Sequence, residues 1–328
     1  MTAQTAERYH CGPLDLIVTS HSDILRNKVA DTLDLYNVEW PGTRLKLHIA
    51  IEADDEPQTL GPGKYLECAR MNVDHAPDAR GTLVATCRSG IHARGNPRDG
   101  RWSFFVSDAD DPWVLTDMES LLSLVLTEGW RAAGWVPVHA ASVIRGETCA
   151  MICAESGGGK TTLTAALVRR GWRTLGDDKL LLRISESGTP ELRALVHTFN
   201  LHPRTQAWFP EVGDLEQLPV YSEWTEKRKV NPESIWAGTT ENRATPTHLV
   251  QIRRVKTEKS VSVSSMQGAE VLSALLHQAA VPSDSLIAKH VLTTVVATAS
   301  QLTGLSVELG ENAYDDADCL ASLEQALA

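Results

Sequence analysis

Apolar and polar residues alternate through the first third of the chain in short runs: LDLIVTS at 14–20, RLKLHIAIEA at 44–53, GTLVATC at 81–87 and RWSFFVSD at 101–108. A period of two, bounded by Gly, Pro or Asp, is the pattern of a half-buried strand. Residues 1–116 are therefore expected to form a smaller α+β module of short strands. NKVAD at 27–31 reads as part of an ordinary helix. At 117–133 the period changes: DMESLLSLVLTEGWRAA spaces its apolar residues as a helix does and begins with an acid, so a connecting helix is expected to open a second module, 117–328.

In that second module a strand is expected at VPVHAASVIR (136–145), a turn at Gly146-Glu147, and an apolar strand at TCAMICA (148–154) that runs into ESGGGKTTLTAALVRRGW. Strand, glycine loop and helix follow in that order. The tail patterns as helices at 269–278 and 283–303, a strand at LSVEL and a last helix at LASLEQALA, which completes an α/β domain.

The segment from Ala154 to Thr161 has the layout of a phosphate-binding Walker A loop, with alanine where the pattern places its first glycine. Glu155, Ser156, Gly157, Gly158, Gly159, Lys160, Thr161 and Thr162 are the expected nucleotide contacts. Small residues let backbone N–H groups turn inward onto phosphate oxygens, and the helix starting at Lys160 adds its N-terminal dipole. Lys160 is expected to reach the β- and γ-phosphates and the Thr161 hydroxyl to bind Mg²⁺. Arg169 and Arg170 suit the last turn of that helix, and Gly171 the position after it.

GWRTLGDDKLLLRI then places Asp177 and Asp178 one helix and one return beyond the loop, where the pair can face a nucleotide at the carboxyl ends of the strands. Adjacent carboxylates raise one another's pKa unless a cation intervenes, which Mg²⁺ would supply. One carboxylate could hold the metal while the other takes the acceptor's proton. Standing alone, DDK would be a solvated turn; the preceding loop favours the functional reading.

The chain's 328 residues allow two modules with cores of their own, and 42% apolar with 22% charged residues is the composition of a folded enzyme. A net charge of -11 repels phosphodiester backbones, which excludes nucleic acid as a partner. The six cysteines form no CxxC or zinc-spaced cluster and read as reduced, mostly buried thiols. With neither a leader pattern nor an apolar run of spanning length, a cytoplasmic location and no membrane partner are expected.

VHAASV, the glycine loop after it, KTTLTAALVRRGWR and the following DD resemble the HPr kinase/phosphorylase superfamily, whose nucleotide site is similar to that of phosphoenolpyruvate carboxykinases. The likeness covers roughly residues 129–255. It implies a P-loop kinase domain of that type, with ATP and Mg²⁺ as cofactors. It also implies Lys160 as phosphate ligand, Thr161 and Asp177 on the metal, Asp178 as proton acceptor and His139 as organiser of the phosphoryl group. Read by itself, His139 is a lone histidine on a strand, more often a satisfied core residue. The chain has no counterpart of the long arginine-containing signature of authentic HPr kinases, nor its glutamate, so dephosphorylation and HPr as acceptor are not implied. Those kinases assemble into hexamers, which makes self-association an expectation.

Two weaker signals follow. Arg204 in HTFNLHPRTQAW could neutralise transferred charge or be a surface arginine. Lys227, Arg228 and Lys229 form a basic knot that is either a solvated run or a lysine-bearing loop near the site, where Lys229 is the residue of interest. The nine tryptophans, Trp224 among them, read as packing residues. The expected function is an ATP- and Mg-dependent transfer of the γ-phosphoryl to a Ser/Thr hydroxyl of a peptide or small protein. A small-molecule hydroxyl kinase and a non-catalytic nucleotide-binding regulator remain as alternatives.

Overall fold

The computed structural model describes residues 5–38, 40–54, 64–66, 70–75, 81–221, 225–257, 261–279, 282, 285–315 and 317–328. Cys68, Trp224 and Ser283 lie outside the described residues. The fold is mixed α/β, divided into two compact units, Met1–Trp135 and Val136–Ala328.

In the first unit strands β1 (Thr5–Cys11) and β2 (Leu14–Ser20) form a hairpin, and helix α1 (Asp23–Asp34) leads to β3 (Leu45–Ala53). There follow β4 (Lys64–Leu66), β5 (Met71–His75), β6 (Leu83–Cys87), β7 (His92–Asn96), β8 (Arg101–Val106) and helix α2 (Pro112–Ala132). The described strands make one sheet in the order β1-β2-β3-β8-β7-β6-β5-β4, parallel only at β2/β3 and β3/β8. All four alternating runs are strands, and Asn27–Asp31 lies in α1. Strand alternation buries Leu14, Leu16 and Val18, and Leu47, Ile49 and Ile51, and the helices bury Leu25, Val29, Leu121 and Val125. Each such side chain contributes about 1.5–3 kcal/mol by leaving water.

Helix α2 starts earlier than the acidic signal suggests, because Asp111 caps it, accepting from the Trp113 amide at 2.8 Å. Asp117 is instead fully buried and accepts from the Ser89 amide at 2.9 Å. The helix also packs so closely on β2 and β3 that a Cβ at Gly129 would meet Leu47 Cδ1 at 2.6 Å, and the Trp130 indole N–H donates to the Cys11 carbonyl at 3.1 Å. Its apolar face thus belongs to the first unit. The division falls at 135/136, after the helix, where the sequence pattern placed it at 116/117.

The second unit opens with β9 (Val136–Val138), β10 (Ala141–Arg145), β11 (Thr148–Cys153) and helix α3 (Lys160–Arg169). Strands β12 (Leu180–Ile184), β13 (Pro190–Ala194), β14 (Phe199–Leu201) and β15 (Arg228–Val230) follow, then the short helix α4 (Pro232–Ile235), β16 (Arg243–Ala244), β17 (His248–Arg254) and β18 (Val261–Met266). Helices α5 (Gly268–Ala279) and α6 (Ser285–Ala299), strand β19 (Thr303–Leu309) and helix α7 (Ala321–Ala326) complete it.

The central sheet runs β10-β11-β17-β19-β18, with β11, β17 and β19 parallel; β16-β13-β12-β9 form a second sheet and β14-β15 a third. Both faces of β11 are covered, which is why it reads as a continuous apolar run. Ala150 and Ile152 pack with Leu163 and Leu167 of α3, while Met151 and Cys153 pack with Val271, Leu275 and Val295 of α5 and α6. Helix α3 ends as expected: Gly171 has φ +88, its amide bonds the Val168 carbonyl at 2.9 Å and the Trp172 amide bonds Leu167 at 3.1 Å, a Schellman closure. No helix among the described residues is long and apolar enough to cross a membrane.

Candidate functional site

The single strand expected at 136–145 is two. Val136–Val138 pairs with β12 in one sheet, and Ala141–Arg145 pairs with β11 in another. Between them the chain leaves both ladders at His139-Ala140. His139 therefore stands at a break, its amide donating to the Gln278 carbonyl at 3.0 Å and its side chain 53% exposed. A satisfied core histidine would be neither.

The loop after β11 folds on itself. Gly157 and Gly159 have φ +74 and +97, the left-handed turns that bring successive amides to one side. The alanine at the first glycine position is accommodated because its Cβ faces Gly158, where a second Cβ would stand 2.7 Å away. Glu155 and Ser156 are exposed and Thr161 and Thr162 half-buried. Lys160 is buried, and its ammonium donates to the Ala154 carbonyl at 3.2 Å, bridging the loop's two ends. Burial lowers its pKa, against which Asp178, Cys153 and Asp177 act to hold the charge, while Lys227 opposes it.

Beyond α3 the segment 173–176 runs antiparallel to β10, with Ile144 and Arg173 exchanging amide bonds at 2.7 and 2.8 Å and the Ser142 amide donating to Gly176 at 3.0 Å. Because β10 is antiparallel to β11, this segment ends where β11 ends, beside the glycine loop. Two buried hydroxyls hold it there: Thr174 donates to the Ser142 carbonyl at 2.7 Å, and the Leu175 amide donates to Ser142 Oγ at 2.9 Å. Gly176, at φ +147 and with no room for a Cβ against the Val196 carbonyl, turns the chain into the aspartates.

Asp177 is 1% exposed. Its Oδ2 accepts from the Asn200 amide at 3.0 Å, and its Oδ1 is buried with no hydrogen-bond partner. Burial pushes its pKa up to about 6, with Asp178 adding to the rise, while the Asn200 amide, the Thr161 hydroxyl and Lys227 pull it back. Asp178 goes the other way. Burial would raise it, but the His139 hydrogen bond, His139's charge, Lys179 and Lys160 together hold it below the usual carboxylate range. His139 Nε2 lies 2.8 Å from Asp178 Oδ1. Environment thus separates two adjacent carboxylates into one that resists ionisation and one that keeps its charge, the division used by acid–base sites.

The structure brings together the glycine loop, Lys160, Thr161, Asp177, Asp178 and His139. It does not bring Arg204 to them. That side chain is exposed on the turn Pro203–Trp208, and it is Asn200, earlier in the same segment, that touches Asp177. Lys229 pairs in register with Asn200, its amide donating to the Pro219 carbonyl at 2.8 Å, and Lys227, two residues earlier, is a lysine whose charge reaches Lys160 and Asp177.

A divalent cation fits this arrangement. An orphaned, buried carboxylate oxygen with a threonine hydroxyl on the same carboxylate offers the oxygen donors that a hard divalent cation takes. Among the described residues no cluster of three or more His, Cys, Asp or Glu gathers.

No family model matches the chain, and no curated protein does. Among solved structures, the HPr(Ser) kinase/phosphatase from Coxiella burnetii is weakly similar: 11% identity, 58% of this chain against 96% of that one, and a TM-score of 0.32. A likeness this distant carries no weight for function beside the geometry above.

Proposed function

We propose that this chain is an ATP- and Mg²⁺-dependent phosphotransferase that moves the γ-phosphoryl to a Ser/Thr hydroxyl of a peptide or small protein. The observation that carries the reading is the meeting of a glycine loop and its lysine with two carboxylates of opposed character, one buried and orphaned, the other charged and paired with His139. A site that only binds a nucleotide needs no proton acceptor.

The loop amides, the α3 N-terminus and Lys160 hold the triphosphate. Thr161 and Asp177 would hold Mg²⁺, which would supply charge neutralisation on the phosphates. Asp178 orients the acceptor hydroxyl and takes its proton as the oxygen bonds to the γ-phosphorus and the bond to the bridging oxygen of ADP breaks. His139, half exposed beside Asp178, fixes that carboxylate's direction.

Mass spectrometry of Ser/Thr peptides incubated with ATP and Mg²⁺ tests this, with the Asp178→Asn protein as control. The gain of one phosphoryl mass, lost in the variant, is the expected result. No gain on any peptide from a wild-type protein that binds ATP would move the acceptor to a small molecule or the chain to a regulator.

A further inference from the structure

The three parallel strands β11, β17 and β19 end side by side, and each end contributes to one surface. β11 supplies the glycine loop, β17 supplies Arg254 at its last position, and the turn after β19 supplies Tyr314. A Cβ built on Gly159 would lie 3.8 Å from the Tyr314 hydroxyl and 4.0 Å from Arg254 Cδ, so both side chains border the phosphate cradle. The Tyr314 ring leans on Trp208, with centroids 4.9 Å apart at 51°. The Arg254 guanidinium carbon stands 6.0 Å from the Trp208 centroid and 5.9 Å from that of Tyr314.

Two details separate this cluster from ordinary packing. Arg254 is exposed, so its guanidinium beside the two rings is accessible to a ligand. The Tyr314 hydroxyl is buried and has no hydrogen-bond partner, a donor waiting beside the loop. Trp208 is held in orientation by its indole N–H, which donates to Asp315 at 3.2 Å, and it lines with Tyr314 a cavity of about 290 Å³ along α3.

Topology gives the direction. Asp178 and His139 lie on the β10 side of β11, while Arg254 and Tyr314 lie on the β17 and β19 side. A triphosphate gripped by the loop with its terminal phosphoryl toward Asp178 must carry its nucleoside the other way. We propose that Arg254, Trp208 and Tyr314 are the nucleobase platform of the site, taking a purine on the Arg254 face and an oxygen of the nucleotide on the Tyr314 hydroxyl. This rests on the phosphate-cradle reading of the glycine loop. Guanidinium and aromatic faces stack on any base, and the two rings of a purine offer more area than one.

Calorimetric titration of the full chain with Mg²⁺ complexes of ATP, GTP, CTP and tripolyphosphate separates the two readings. Wild type is expected to bind ATP and GTP about tenfold or more tighter than tripolyphosphate, with CTP between. Arg254→Lys keeps the charge and removes the plane: it should bind tripolyphosphate as wild type does and lose roughly threefold or more of its affinity for ATP. Tyr314→Phe should weaken ATP and leave tripolyphosphate unchanged. Equal wild-type affinity for ATP and tripolyphosphate, or an Arg254→Lys protein that binds ATP undiminished, overturns the platform while leaving the cradle intact. A wild type that binds neither overturns both.

Discussion

His139 Nε2 and Asp178 Oδ1 lie 2.8 Å apart across a break between two sheets, the imidazole presented by the gap after β9 and the carboxylate by the turn before β12. On the proposed reading, in which Asp178 takes the acceptor's proton, the pair sets how far into acid that carboxylate keeps its charge. With His139 removed, burial is left to raise Asp178 against fewer opposing groups. The acid limb of the pH–rate profile should therefore move to higher pH in His139→Ala, while the affinity for Mg·ATP changes little. An acid limb that stays in place would show that His139 does not tune the acceptor.

Asp177 predicts a stability effect of the opposite sign to that of a salt-bridged acid. Its folded pKa, about 6, lies above the ordinary 3.8, so its contribution is fully present below about pH 4 and lost as pH rises through about 6. Asp177→Asn should then raise the thermal stability of the nucleotide-free protein increasingly between those values. Above them the gain should be constant and on the order of 3 kcal/mol. Mg·ATP should stabilise wild type more than the variant, because only the aspartate offers the cation a charged ligand while the loop and Lys160 remain in both. Melting curves at several pH values, with and without Mg·ATP, read both effects.

Of the basic knot, Lys227 is the residue whose charge is felt at both Lys160 and Asp177. Lys227→Ala should weaken Mg·ATP binding or turnover by roughly tenfold, since a charge near Lys160 and Asp177 is lost, whereas Lys229→Ala should stay within about twofold. Steady-state kinetics of the two variants side by side settle which lysine acts.

Gly176 sets the position of both aspartates. Alanine there would need φ +147 and place its Cβ 2.2 Å from the Val196 carbonyl, costing about 2–3 kcal/mol and disturbing the pair. Gly188, at φ +80 with open space around it, is the control, where alanine should cost about 1 kcal/mol. Urea titrations measure the difference.

The glycine loop and α3 were readable from sequence because their chemistry is contiguous: strand, loop, helix and cap follow one another along the chain. The strands of the first unit were equally readable, each carrying its own alternation. What escaped depends on partners far away in sequence. The break at His139 exists because β9 and β10 are claimed by different strands, β12 and β11, which no local pattern records. That the charge of Lys227 reaches Lys160 and Asp177 follows from how the chain folds ahead of β15, which the run of charges itself does not record. Arg204 drew notice by its charge, while Asn200 acts through a backbone amide that has no sequence signature. The boundary moved because α2 carries an apolar face that its own pattern shows but whose destination, the β2 and β3 surface, it does not.

Titration of Mg·ATP into wild type, Lys160→Ala and Asp178→Asn proteins tests the central claim most directly. The account predicts that wild type and Asp178→Asn bind with similar affinity and that Lys160→Ala loses about a hundredfold or more, because Lys160 grips the phosphates and Asp178 acts on the acceptor. A wild type that takes up no ATP, or a Lys160→Ala protein that binds it as well as wild type does, would contradict it.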